Sequence, residues 1–150
     1  MIDKVSFDTN ILIYSIDLRD KAKHEIARRI VSRCSQANGV VALQCLTEFY
    51  RATTRKQLLP LTQASEIVEQ TRQAMRVFSA SEADLLRAIQ YHHQHQIQFF
   101  DALLCSTIER SGCTVLFSED FQHNRSFGGL TVLNPFLLST EELDRLTLFA

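Results

Sequence analysis

Short apolar runs alternate with longer stretches of helical period along this chain. Residues 4–7 form a brief apolar strand that runs straight into Asp8. Asp-Thr-Asn at 8–10 reads as a turn capping a mostly apolar helix over 11–16. After a polar break at 17–20, residues 21–37 carry Ala22, Ile26, Ala27, Ile30, Val31 and Cys34 at helical spacing. Lys23, Arg28, Arg29 and Arg33 are expected away from that stripe. Asn38-Gly39 suits a left-handed helix end. A β-branched strand is predicted over 40–43, then a helix bearing Thr47-Glu48-Phe49-Tyr50 and running to about residue 56. Pro60 is expected to close that element. The next helix opens at Thr62, with Ala64, Ile67, Val68, Thr71 and Met75 facing inward.

The second half continues the alternation. Val77-Phe78 is a weak strand. Ser81 caps a helix over 82 to about 94, with Leu85, Leu86, Ala88 and Ile89 expected to be buried. Phe99-Phe100-Asp101 turns into an apolar helix ended by Ser111-Gly112. Residues 114–117 make the strongest strand of the chain, followed at once by Ser118-Glu119-Asp120. Gly128-Gly129 turns into a last strand at 130–133, Asn134-Pro135-Phe136 ends it, and Ser139-Thr140-Glu141-Glu142 opens a final helix. Strands alternating with helices predict an α/β fold: a three-layer α/β/α arrangement around a central, mostly parallel sheet of four to five strands. No repeat or linker divides residues 1–150, so one domain is expected.

Composition changes this picture little. The chain has 150 residues, 45% hydrophobic and 22% charged, with a net charge of −1. There is no global basic signal for nucleic acid, although a modest basic surface around an acidic pocket fits the balance. Cys34, Cys45, Cys105 and Cys113 lack zinc-knuckle spacing and sit among apolar neighbours, as buried free thiols do. No signal peptide or membrane-length apolar run is visible, so a cytoplasmic protein off the membrane is expected.

The candidate chemistry lies in four acids. Asp8 and Asp120 follow predicted strands, while Glu48 and Asp101 sit near predicted helix starts. Parallel strands share a direction, so all four are expected at one sheet edge, where open α/β sheets bind their ligands. Clustered carboxylates repel unless cations or protons neutralise them. Hard ions such as Mg²⁺ or Mn²⁺ suit oxygen donors and serve in phosphoryl chemistry. Singly, each acid has a plainer reading: Asp8 and Asp101 as helix caps, Glu48 as a surface residue, Glu119 and Asp120 as loop acids.

Motifs decide between these readings. Phe-Asp-Thr-Asn-Ile at 7–11 resembles the opening of PIN domains. Glu48 in Leu-Thr-Glu-Phe, Phe-Phe-Asp-Ala-Leu-Leu-Cys at 99–105 and Val-Leu-Phe-Ser-Glu-Asp-Phe-Gln-His at 115–123 are similar to that family's other acidic motifs, in order; Asn-Pro-Phe at 134–136 is a common ending. At this length the resemblance is to the VapC ribonuclease toxins of toxin–antitoxin pairs. It implies a PIN-like fold. It further implies a metal-dependent endoribonuclease that hydrolyses RNA phosphodiesters to 5′-phosphate and 3′-hydroxyl ends. Asp8, Glu48, Asp101 and Asp120 would be its catalytic carboxylates and its Mg²⁺ or Mn²⁺ ligands. Thr9, Asn10 and Ser118 would orient carboxylates and waters, with Glu119 a further supporting contact or a fifth acid. The partners implied are RNA, a cognate antitoxin and a second copy in a homodimer.

Arg51, Arg55 and Lys56, one to two turns beyond Glu48, are candidates to follow an RNA backbone, as are Lys21, Lys23, Arg28, Arg29 and Arg33. His92-His93-x-His95 reads as a solvated helix end, and Phe99, Phe100, Phe117 and Phe121 as core. A catalytically silent PIN-like module for RNA binding or scaffolding is the alternative. A haloacid-dehalogenase-type phosphatase would need a second aspartate two residues after Asp8, where this chain has Asn10.

Overall fold

A computed structural model of the protein describes residues 3–147. The elements are β1 (Val5–Phe7), α1 (Thr9–Tyr14), α2 (Lys21–Gln36), β2 (Val40–Ala42), α3 (Leu43–Arg55), α4 (Leu61–Ala74) and β3 (Arg76–Phe78). They continue with α5 (Glu82–His95), α6 (Phe99–Arg110), β4 (Val115–Phe117), β5 (Arg125–Phe127), β6 (Leu130–Leu133) and α7 (Thr140–Thr147).

The central sheet has four strands in the order β1-β4-β6-β5. β1 and β6 both run parallel to β4, while β5 returns antiparallel against β6. β2 and β3 form a separate parallel pair. It lies beside β1, where the buried Ser6 hydroxyl donates to the Val40 carbonyl at 2.6 Å. A side chain thus bridges the seam between the two sheets. The fold is the expected α/β one: a mostly parallel four-stranded sheet flanked by helices. Buried Phe7, Leu116, Phe117 and Val132 on the strands pack against buried Ile11, Ile30, Phe49 and Ile108 on the helices. All four cysteines are buried and free. Among the described residues, no helix is long and apolar enough to cross a membrane.

Several expectations change. β5 was not expected: Arg125-Ser126-Phe127 is short and half polar, and it is a strand because β6 offers it an edge. α3 begins at Leu43, directly after β2. Pro60 opens α4 rather than closing α3, which suits a residue lacking an N–H at a helix start. Left-handed backbone falls on Asn38, not Gly39. On α5 the buried side is Asp84, Ala88 and Tyr91, whereas Leu85, Leu86 and Ile89 are exposed. The helix turns inward the face that can place Asp84 against α6, not its most apolar one.

Gly128 has a positive φ of 60°, and a Cβ there would meet Glu109 Oε1 at 2.1 Å. That carboxylate is already engaged by the Tyr91 hydroxyl at 2.6 Å and the Gly129 N–H at 3.2 Å. Gly128→Ala is therefore expected to destabilise the protein by about 1–3 kcal/mol, measured by urea denaturation. An unchanged midpoint would mean that the hairpin moves freely.

Candidate active site

The four acids arrive at the carboxyl edge of the sheet from four elements. Asp8 follows β1, and its backbone N–H donates to the Phe117 carbonyl at 3.0 Å, extending the ladder by one bond. Its side chain caps α1, accepting the Ile11 N–H at 3.3 Å. The cap reading and a place in the cluster thus hold for one residue. Ser118 follows β4; its hydroxyl donates to the second Asp8 oxygen and accepts the Asp120 N–H at 3.1 Å. One buried serine ties Asp8 to the turn that carries Asp120.

The two residues after Asp8 reach the other acids. Thr9 donates to Glu48 Oε2 at 2.8 Å. Asn10 Nδ2 donates to Asp120 at 3.2 and 3.4 Å. Gln44, one turn before Glu48 on α3, donates to Glu48 Oε1 at 3.1 Å and to the Phe100 carbonyl at 3.2 Å. Phe100 immediately precedes Asp101 in the first turn of α6. Single polar side chains therefore link Asp8 to Ser118 and the Asp120 turn, Asp120 to α1, α1 to Glu48, and Glu48 to the start of α6. Gln44 is the member the sequence reading missed. Its spacing of four from Glu48 on one helix was the available signal.

Electrostatics show that the acids sense one another. Burial pushes the Asp8 carboxyl up to about 7; the Asp120 charge adds to the rise and the Ser118 hydrogen bond opposes it. Asp101 is raised by burial and then by the charges of Asp120 and Glu48. Asp120 opens toward solvent, yet it too is raised, by partial desolvation and then by Glu119. Repulsion of this kind marks a place where positive charge is favoured.

A family model for the PIN domain matches residues 5–126. The chain belongs to the PIN domain family. The match covers the segments carrying all four acids, and membership supports nuclease chemistry in general. Comparison with curated proteins finds no match. Among solved structures, the crystal structure of Mycobacterium tuberculosis VapC20, a sarcin–ricin-loop-cleaving toxin, is similar with a TM-score of 0.59. Identity is 16%, and the match covers 77% of this chain and 89% of that chain. At that identity the likeness speaks to the fold.

Other expected contacts of this PIN domain divide. Arg51, Arg55 and Lys56 are exposed on α3 and share a surface depression of about 480 Å³ with Glu48. The basic residues of α2 are mostly engaged elsewhere. Lys23 pairs with Glu119, Arg28 with Glu25 and Arg29 with Asp144, and Arg33 is buried, contrary to its expected place off the apolar stripe. His92 and His93 are exposed, whereas the His95 ring packs edge-on against Phe127 at 4.7 Å. Phe117 is core, but Phe100 is 62% exposed, so its expected burial is corrected. It starts α6, and that helix turns Ala102, Leu104 and Cys105 inward instead.

Proposed function

We propose that this PIN domain is a divalent-metal-dependent endoribonuclease, the VapC-type toxin of a toxin–antitoxin pair. The observation that carries the reading is the chain of side-chain bridges that links Asp8, Glu48 and Asp120 and reaches the backbone beside Asp101, whose carboxylate senses the charges of Asp120 and Glu48. The donor set is hard oxygen throughout, which suits Mg²⁺ or Mn²⁺. Among the described residues, no group of three or more His, Cys, Asp or Glu is already arranged to hold a metal ion. That is compatible with Mg²⁺, which keeps several waters and takes only one or two carboxylates directly. Asp8, Glu48, Asp101 and Asp120 would hold the ion, directly or through water. When bound, it supplies water activation and stabilises charge on the transferring phosphate. Thr9, Asn10 and Ser118 keep the carboxylates oriented. Arg51, Arg55 and Lys56 bind the RNA backbone beside Glu48.

The exposed Leu85, Leu86 and Ile89 on α5 support self-association as a homodimer. A cognate antitoxin would hold the toxin inactive, and the cytoplasm is the place of action. The second reading, a catalytically silent RNA-binding or scaffold module, is favoured only by the absence of a ready metal cage among the described residues.

Growth after induced expression tests the proposal, with wild type compared against Asp101→Asn and cleaved RNA ends mapped. Wild type is expected to arrest growth and to cut RNA with Mg²⁺ or Mn²⁺ but not with EDTA. Asp101→Asn is expected to be at least about 100-fold slower. A harmless wild type whose purified form leaves RNA intact with either ion refutes the toxin reading.

A further inference from the structure

Glu119 stands between Ser118 and Asp120, yet its carboxylate is held by other elements. One oxygen accepts the Tyr14 hydroxyl, and the other accepts Lys23 Nζ at 2.8 Å. Lys23 also reaches the Tyr14 oxygen at 3.4 Å. Its ammonium lies 5.0 Å from the Tyr14 ring centre and 5.1 Å from that of Phe136, and these two rings meet edge to face at 5.5 Å. Tyr14 ends α1, Lys23 lies in the first turn of α2, and Phe136 belongs to the turn after β6. Two elements therefore converge on one carboxylate, and a third packs against both of its partners. The pair is largely enclosed, with side chains 33% and 20% exposed. An ammonium enclosed between two rings and a carboxylate is committed to them, unlike a lysine on an open helix face.

Resting on the reading of the four acids as a cation site, we infer that Lys23 sets the charge beside that site. It neutralises Glu119, so that this carboxylate does not add a fifth negative charge to the cluster next to Asp120. Ser118 pins the turn from the inside through Asp8 and the Asp120 N–H. Tyr14 pins it from the outside through the other Glu119 oxygen, independently of the Lys23 charge. Glu119 is then a compensated charge rather than a fifth ligand, and Lys23 is not an RNA contact.

The test is calorimetric titration of Mn²⁺ alone into the metal-stripped full chain, with thermal melts to show that each variant is folded. Lys23→Met and Lys23→Gln each delete a nearby positive charge and leave Glu119 uncompensated. Both are expected to bind Mn²⁺ about three- to tenfold more tightly, since one unit charge several ångströms away acts on that scale. Lys23→Arg stays within about twofold of wild type, and so does Lys23→Met with Glu119→Gln, which removes both charges of the pair. Unchanged affinity in both single variants overturns the inference. So does a shift that persists in the double variant, because Lys23 would then act without Glu119. Asp101→Asn separates the two levels of the argument. If wild type binds Mn²⁺ and Asp101→Asn does not, the site stands and only the role of Lys23 is being judged. If wild type binds no Mn²⁺, the cation-site reading fails and the inference falls with it.

Discussion

Asp8→Asn is expected to abolish RNA cleavage and, in metal-free buffer at pH 8, to make the protein more stable than wild type. Loss of one charged group at a reacting centre commonly costs about 10²–10³ in rate. The stability gain follows from the environment of Asp8. Its side chain is 5% exposed and faces Asp120, and burial raises its carboxyl to about 7. In the unfolded chain the same group titrates near the ordinary 3.8. Well below pH 3.8 it is neutral in both states and costs nothing. As pH rises toward 7 the unfolded chain loses its proton first, so folding is progressively penalised, and above 7 the penalty is constant. Asparagine keeps the shape without the charge. Its amide oxygen still accepts the Ile11 N–H, and its NH₂ donates to the Ser118 oxygen in place of the bond that Ser118 now gives. The advantage of the variant should therefore be small near pH 4, grow to pH 7 and level off, reaching on the order of 2–4 kcal/mol at most. Melting curves from pH 4 to pH 8 in EDTA measure it. A variant less stable than wild type at pH 8 would mean that Asp8 stabilises the fold as a charged cap.

With Mn²⁺ present the same comparison is expected to reverse the order, if the acids hold the ion as proposed. A cation that binds only the folded state stabilises wild type by mass action, and the variant, lacking the buried carboxylate, gains less. A protein that tolerates a destabilising buried charge in order to bind an ion behaves in this way. A protein that uses Asp8 only to cap α1 does not.

The features legible in the sequence were those set by short-range patterns. The strand at residues 4–7, the break at Asp8 and the apolar period of residues 21–37 follow from local side-chain chemistry, and each has its counterpart in β1, α1 and α2. The placing of Asp8 and Asp120 after strands and of Asp101 in a first helical turn was legible for the same reason, whereas Glu48 falls in the second turn of its helix because α3 begins already at Leu43. What was not legible depended on tertiary partners. β5 exists because an edge of β6 was open, and no periodicity in three residues announces that. Lys23 looked like a solvated cation until Tyr14, Phe136 and Glu119, far apart in sequence, closed around it. Gln44 gains meaning only when α6 brings the Phe100 carbonyl within reach. The inward face of α5 was misread because hydrophobicity ranked Leu85, Leu86 and Ile89 above Asp84, and the structure ranks them the other way.

Asp84→Ala should accordingly be among the most destabilising single changes in this protein, although Asp84 lies on α5, outside the acid cluster. The residue is 2% exposed and its carboxylate serves two purposes. It completes a reciprocal cap with Ser81: Oδ2 accepts the Ser81 N–H at 2.9 Å while the Ser81 hydroxyl accepts the Asp84 N–H at 3.2 Å. It also receives Arg110 Nε at 2.9 Å on both oxygens, from the last turn of α6. Arg110 in turn donates to the Ser79 carbonyl at 2.9 Å, and Ser106 donates to the Asp84 carbonyl at 2.9 Å. These bonds lock α5 to α6, the helix whose first turn carries Asp101. A lost cap costs about 1 kcal/mol, and charge-assisted hydrogen bonds to a buried carboxylate about 1.5–3. Arg110 can turn toward water, so the total should be about 2–4 kcal/mol, or roughly 5–15 °C in melting temperature for a chain of this size. Asp84→Asn keeps part of the cap and should fall between alanine and wild type. The effect on Mn²⁺ binding separates the two acids. Asp84→Ala should retain Mn²⁺ binding at temperatures where it is folded, whereas Asp101→Asn should lose it without a comparable drop in melting temperature. If Asp84→Ala melts with wild type, the α5–α6 lock does not stabilise the fold.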